Sequence, residues 1–85
     1  MQFQEIDEAV EVFLKVGGGK IVPQEIVWGN TVYHVQAINN VWRQKFGQGY
    51  KIHVACMTQE DTAMEIVIDP VDLSCRLARM SLMHG

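Results

Sequence analysis

The sequence predicts an all-β domain, a small antiparallel meander of about five to six strands curled into a barrel or half-barrel. Three observations predict it. Apolar and polar residues alternate over several short stretches, turn residues separate those stretches at roughly 8–12-residue intervals, and residues 9–16 lack a clean helical polar face. An α+β alternative with an N- or C-terminal helix stays open, because residues 4–16 and 73–82 also fit a helical period. The 85 residues are read as one domain, 1–85. A chain of this size buries only about 60–65% of the surface its unfolded form exposes. A sheet this small has to curl on itself or pair with a second copy to bury one face.

The elements follow in order. In residues 9–16, Val10, Val12, Leu14 and Val16 alternate with Glu11, Phe13 and Lys15, a half-buried strand. Ile6, Val10, Phe13 and Leu14 also stand at helical spacing with Gly17 as the residue after the helix, but the β-branched content favours the strand. Gly17-Gly18-Gly19 reads as a turn. Pro23 opens a short run to Trp28, which Gly29-Asn30 ends as a two-residue hairpin signal. Thr31–Ile38 alternates, with Tyr33, Val35 and Ala37 on one face and Val32, His34, Gln36 and Ile38 on the other. Asn39-Asn40 is a further turn signal, and Val41–Arg43 is a short strand or one helical turn. After Phe46-Gly47-Gln48-Gly49 comes the strongest strand, Tyr50–Met57, with Tyr50, Ile52, Val54 and Cys56 towards the core and Lys51, His53 and Ala55 away. Ala63–Asp69 is another strand, between the polar turns Thr58–Asp61 and Asp69–Asp72. Leu73–Met80 reads as strand or short helix.

Charge is segregated along this frame. No carboxylate lies between Glu25 and Glu60, and residues 26–59 hold both tryptophans and both tyrosines. Formal charge is −3 over residues 1–25, +3 over 26–59 and −3 over 60–85, in keeping with the overall −3. The acidic balance speaks against a duplex-DNA binder, whose affinity comes mostly from neutralising phosphates. The N-terminal residues lack the basic and apolar regions of a signal peptide, and no run approaches the roughly 20 apolar residues of a membrane helix. Cys56 and Cys75 lie in alternating segments and read as reduced, buried hydrophobes. Cytoplasmic residence and no membrane association are the expectation.

Pro23, Ile26, Trp28, Tyr33, Val35, Ile38 and Trp42-Arg43 make the pattern P-x-x-I-x-W-x(4)-Y-x-V-x-x-I-x(3)-W-R, continued by Tyr50, Val54, Ile68-Asp69 and Leu77. This resembles a group of short bacterial β-domain proteins of unknown function that share a tryptophan-rich antiparallel pattern. The resemblance covers most of residues 20–80 and implies the fold. It carries no activity, cofactor or site.

Chemistry-bearing residues form no recognised motif. His34, His53, His84, Cys56 and Cys75 match no metal-ligand spacing, although His34 and His53 on adjacent strands could meet with Glu65. His53 and Cys56, three apart on a strand, point to opposite faces. Gly17-Gly18-Gly19-Lys20 lacks the spacing and the Ser/Thr of a phosphate loop. The paired acids Glu60-Asp61 and Asp69-x-x-Asp72 are turn residues. No catalytic residue, metal or cofactor is expected.

The expected function is therefore a non-enzymatic interaction domain that docks on a protein partner, or on itself as a homo-oligomer, through an edge strand. The alternative is a weak binder of single-stranded nucleic acid. Its candidate surface comprises His34, Trp42, Arg43, Lys45, Phe46, Lys51 and His53, with aromatics to stack on bases and cations to track phosphates. Trp28, Tyr33 and Tyr50 are expected in the core.

Overall fold

The structure, a computed structural model, describes residues 3–82, so His84 lies outside the described residues. It is all-β: β1 (Gln4–Gly17), β2 (Lys20–Trp28), β3 (Thr31–Phe46), β4 (Gly49–Thr58), β5 (Thr62–Ile68) and β6 (Cys75–Leu82). Each strand pairs antiparallel with the next, and β1 pairs with β6. The meander thus closes into a ring of hydrogen-bonded strands. No helix forms among the described residues, which removes the α+β alternative and resolves both ambiguous segments as strand.

Turn chemistry fixes the hairpins. Gly18 and Gly19, at φ +57° and +76°, form the two-residue loop between Gly17 and Lys20. Positive φ at both central positions is the turn whose twist matches the flanking strands, and glycine adopts it without a Cβ penalty. Gly29-Asn30 and Gly47-Gln48 close β2–β3 and β3–β4 as two-residue loops in which only the first residue, the glycine, has positive φ. In the β5–β6 connection the Asp69 and Asp72 side chains accept from the N–H groups of Val71 and Ser74, at 2.9 Å each, as the acidic turn residues predict.

The core lies towards one end of the ring. Ile26, Val54, Cys56, Met64, Ile66, Ile68, Cys75, Leu77 and Met80 are buried together, with Ile6, Val10, Val12, Leu14, Tyr33, Val35 and Ile52 partly buried against them. Alternation in β4 and β5 places Val54, Cys56, Met64, Ile66 and Ile68 inward, as the sequence predicts. Each such side chain contributes about 1.5–3 kcal/mol when fully buried.

Bulges correct the sequence reading elsewhere. Asn39-Asn40 does not turn the chain. β3 runs on for 16 residues, and its pairing with β4 skips Gln36 and Asn39 as extra residues. A bulge absorbs one residue and reverses the alternation beyond it. Ile38 therefore pairs with buried Cys56, on the face of Tyr33 and Val35 rather than the opposite one. β2 likewise starts at Lys20 and passes through Pro23, with Gln24 bulged out opposite the Phe13/Leu14 step. Proline is accepted in a strand at a bulge or on an unpaired edge, and Pro23 has both. Tyr50 is 39% exposed rather than in the core, because it stands near the end of the β3–β4 hairpin beyond the buried cluster.

β1 and β3 each change partner along their length. β1 pairs with β6 through Val10 and with β2 from Glu11. β3 pairs with β2 over only four positions, Thr31 to His34, and with β4 from Val35. The β1–β2 and β3–β4 hairpins therefore diverge as two arms, which stretches the molecule to 40 × 25 × 23 Å.

Candidate functional site

Divergence of the arms leaves a seam in the ring. Beyond His34, β3 has no partner on the side away from β4, and β2 before Glu25 has none on the side away from β1. Gly19, Lys20, Ile21 and Val22 from one arm and Ile38, Val41, Arg43 and Ile52 from the other line a cleft of about 420 Å³ there. Its walls are largely aliphatic, with Val41 54% exposed and Ile38 exposed as well. Lys20 and Arg43 are the charged residues of the lining, and both are cationic.

The two edges differ. Pro23 interrupts the β2 edge because it has no N–H to offer. On β3 the bulges at Gln36 and Asn39 perturb the first part, but Asn40–Phe46 pairs in continuous register with β4 from Ala55 to Gly49. This seven-residue run is a regular strand with one edge unpaired.

A second cleft, of about 340 Å³, lies on the outer face of the sheet, lined by residues that include Lys45, Phe46, Lys51, His53, Asp69 and Arg76. Apart from Lys45, which forms no ion pair among the described residues, the charged residues of its lining pair within the chain. Lys51 Nζ donates to Asp69 Oδ2 at 2.8 Å, which holds the Asp69 carboxyl below the usual carboxylate range. Glu65 accepts from Arg79 Nε at 2.9 Å and stands 3.4 Å from His53 Nδ1, linking β4, β5 and β6. Arg76 binds Asp7 on β1.

The sequence-predicted surface is split between these places. In the β3–β4 register Arg43 faces Ile52 and Lys45 faces Tyr50, on the alternation that buries Val54. Trp42 pairs with His53 and Gln44 with Lys51, on the other face. The sequence reading grouped Arg43 and Lys45 with Lys51 and His53 in one surface; as members of β3 they alternate away from them. Lys45 still reaches the outer cleft near the hairpin end.

Phe46 is 67% exposed. Trp42 is half-buried and stacks on His53 with ring centroids 5.2 Å apart. Lys51 Nζ lies 4.9 Å from the Phe46 ring centre, and the Arg43 guanidinium 4.8 Å from that of Tyr50. Trp42, Phe46 and Tyr50 each already carry a cation or an imidazole from the chain itself.

His34 stands apart at the point where β3 changes partner. Its backbone N–H donates to Glu60 Oε1 and its Nδ1 to Glu60 Oε2, both at 2.8 Å, while its carbonyl accepts from Gln59 N at 2.8 Å. The hydrogen bond that Glu60 accepts, aided by its charge and that of Glu25, raises the His34 pKa, and the same bond lowers that of Glu60. His34 and His53 thus sit on different carboxylates, Glu60 and Glu65. Among the described residues no cluster of three or more His, Cys, Asp or Glu stands ready to hold a metal.

Cys56 and Cys75 are buried and free, and burial pushes both thiols up to about 11, with Asp72 adding to the effect at Cys75. No helix among the described residues is long and apolar enough to cross a membrane. Comparison with protein-family models, with curated proteins and with solved structures gives no match to this chain.

The edge at Asn40–Phe46 carries no sequence motif. Its one signal is the run without acidic residues, which covers β3 and β4 entirely.

Proposed function

We propose that the protein is a non-enzymatic interaction domain that takes up an extended segment of a protein partner along the edge of β3. The observation that carries this reading is the unpaired run Asn40–Phe46 beside the aliphatic cleft. A strand added there satisfies the free N–H and C=O groups, and the cleft receives its alternate side chains. Two buried, unpaired cysteines agree with a reducing cytoplasmic setting.

The nucleic-acid reading has less support. Stacking on bases needs open aromatic faces beside unpaired cations. Here Trp42 is stacked on His53, and Lys51 is committed to Asp69 and the Phe46 ring.

The reading is tested by selecting binders from a random decapeptide display library on the intact protein, then mapping them by heteronuclear NMR. Binders whose signals concentrate on Asn40–Phe46 support it. A selection that yields no binder, or binders that map elsewhere, overturns it.

A further inference from the structure

The chemistry of the β3 edge also specifies its partner, an inference that rests on the edge-docking reading above. We infer that the docked segment is an acidic, amphipathic strand and not a second copy of this chain.

On a sheet, a residue interacts most strongly with the one directly opposite on the neighbouring strand. Opposite charges there stabilise and like charges destabilise. Arg43 and Lys45 are two apart on the free edge strand, so both project from the same face of the pleat. Neither forms an ion pair among the described residues, whereas Lys51, Arg76 and Arg79 all do. Lys51, Arg76 and Arg79 have carboxylates from β1, β5 or the β5–β6 turn beside them, whereas Lys15 and Lys20 of the facing arm, like Arg43 and Lys45, form no ion pair among the described residues. The seam keeps those carboxylates away from Arg43, because β3 and β4 carry none and the facing arm contributes Lys20 to the cleft.

Arg43 is also held for such a contact. The Tyr50 ring lies under its guanidinium at 4.8 Å, which fixes the plane and leaves the N–H fork available to a carboxylate. Val41 and Ile38 on the same face, with Ile21 and Val22 across the cleft, receive apolar side chains. The matching strand carries Asp or Glu opposite Arg43 and Lys45 and aliphatic residues towards Val41 and Ile38.

A second copy fits poorly. In antiparallel self-pairing, a register centred on Gln44 sets Arg43 opposite Lys45, and one centred on Arg43 sets it opposite itself. Each arm brings three formal positive charges, Arg43, Lys45 and Lys51, and no negative one. The edge is guarded against its own kind, as exposed edges commonly are by Lys and Arg.

The library selection separates this inference from the reading it rests on. Peptides that map to Asn40–Phe46 are predicted to bear acidic residues at alternate positions and to weaken as salt rises. The paired reversal Arg43→Glu with Lys45→Glu should weaken them by about tenfold or more and favour basic peptides instead. The neutral pair Arg43→Gln with Lys45→Gln should fall between, and circular dichroism confirms that both variants fold. Edge-bound peptides without acidic bias, or indifferent to the reversal, overturn the inference and leave edge docking intact. Absence of any edge-bound peptide overturns both.

Discussion

Arg76 holds Asp7 at two points: its Nε donates to Asp7 Oδ1 at 3.0 Å and its Nη2 to the Asp7 carbonyl at 2.7 Å. Asp7 is at φ +54°, in the left-handed region that side chains other than glycine seldom enter. It lies in the bulge where Ile6 and Asp7 of β1 oppose Ala78 of β6, in the β1–β6 pairing that closes the ring. Asp and Asn tolerate this conformation best among residues with a Cβ, and Arg76 secures the carbonyl that the bulge turns aside.

A β-branched residue at position 7 should therefore be costly. Asp7→Val is expected to lose about 1–2 kcal/mol, because a β-branched side chain is crowded at positive φ and the hydrogen bond from Arg76 to the Asp7 carboxylate is lost. Asp7→Gly should stay within about 0.5 kcal/mol of the parent, since relief of strain offsets an exposed ion pair of small worth. Urea unfolding compares the two. Equal losses would show that the bulge backbone is not strained.

The core gives a larger effect. Ile66 is buried between Val54 on β4 and Leu77 on β6. Ile66→Ala should cost about 2–5 kcal/mol, through lost burial and the cavity left behind. Domains of this kind hold about 5–15 kcal/mol in total, so a large part of the stability goes with it. A loss below about 1 kcal/mol in urea unfolding would place Ile66 outside the cooperative core.

The His34–Glu60 clip sets a pH dependence with a defined sign. His34 has a raised pKa, so its contribution is full below its ordinary value of 6.5 and fades as pH rises through the folded value. Glu60 has a lowered pKa, so its contribution is present above 4.5 and fades as pH falls through the folded value. The clip is strongest between 4.5 and 6.5. Melting temperatures of the parent and of His34→Gln, measured across pH, should differ most in that window and converge above it. Glu60 on the β4–β5 turn and Glu25 on β2 are the charges that face the imidazole.

The thiols should be silent in the folded protein. With values near 11 and burial in the core, Cys56 and Cys75 present about a thousandth of their population as thiolate at pH 8. A disulfide-exchange reagent should react only at the rate of unfolding. Rapid titration of either cysteine under native conditions would contradict its placement.

The all-β class and the phases of β4 and β5 are legible in the sequence because they rest on local alternation between buried and open residues. Val54, Cys56, Ile66 and Ile68 follow from it directly. Bulges are not legible that way. Asn39-Asn40 has turn chemistry, yet long-range pairing with β4 keeps the strand going and absorbs Asn39. The candidate site suffered most from this. Two bulges and an uninterrupted β3 separate Arg43 from Lys51 and His53. The carboxylates beside Lys51 and His53 are Asp69, in the β5–β6 turn, and Glu65, on β5, and only the strand order brings that part of the chain next to β4.

Amide hydrogen exchange along Asn40–Phe46 in the free protein tests the open edge most directly. In an antiparallel strand paired on one side, alternate N–H groups point to the partner and the rest point away. Slow and fast amides should alternate through this run, the slow ones bound to β4. Uniform slow exchange from Asn40 to Phe46 would contradict this, because the edge would already be covered.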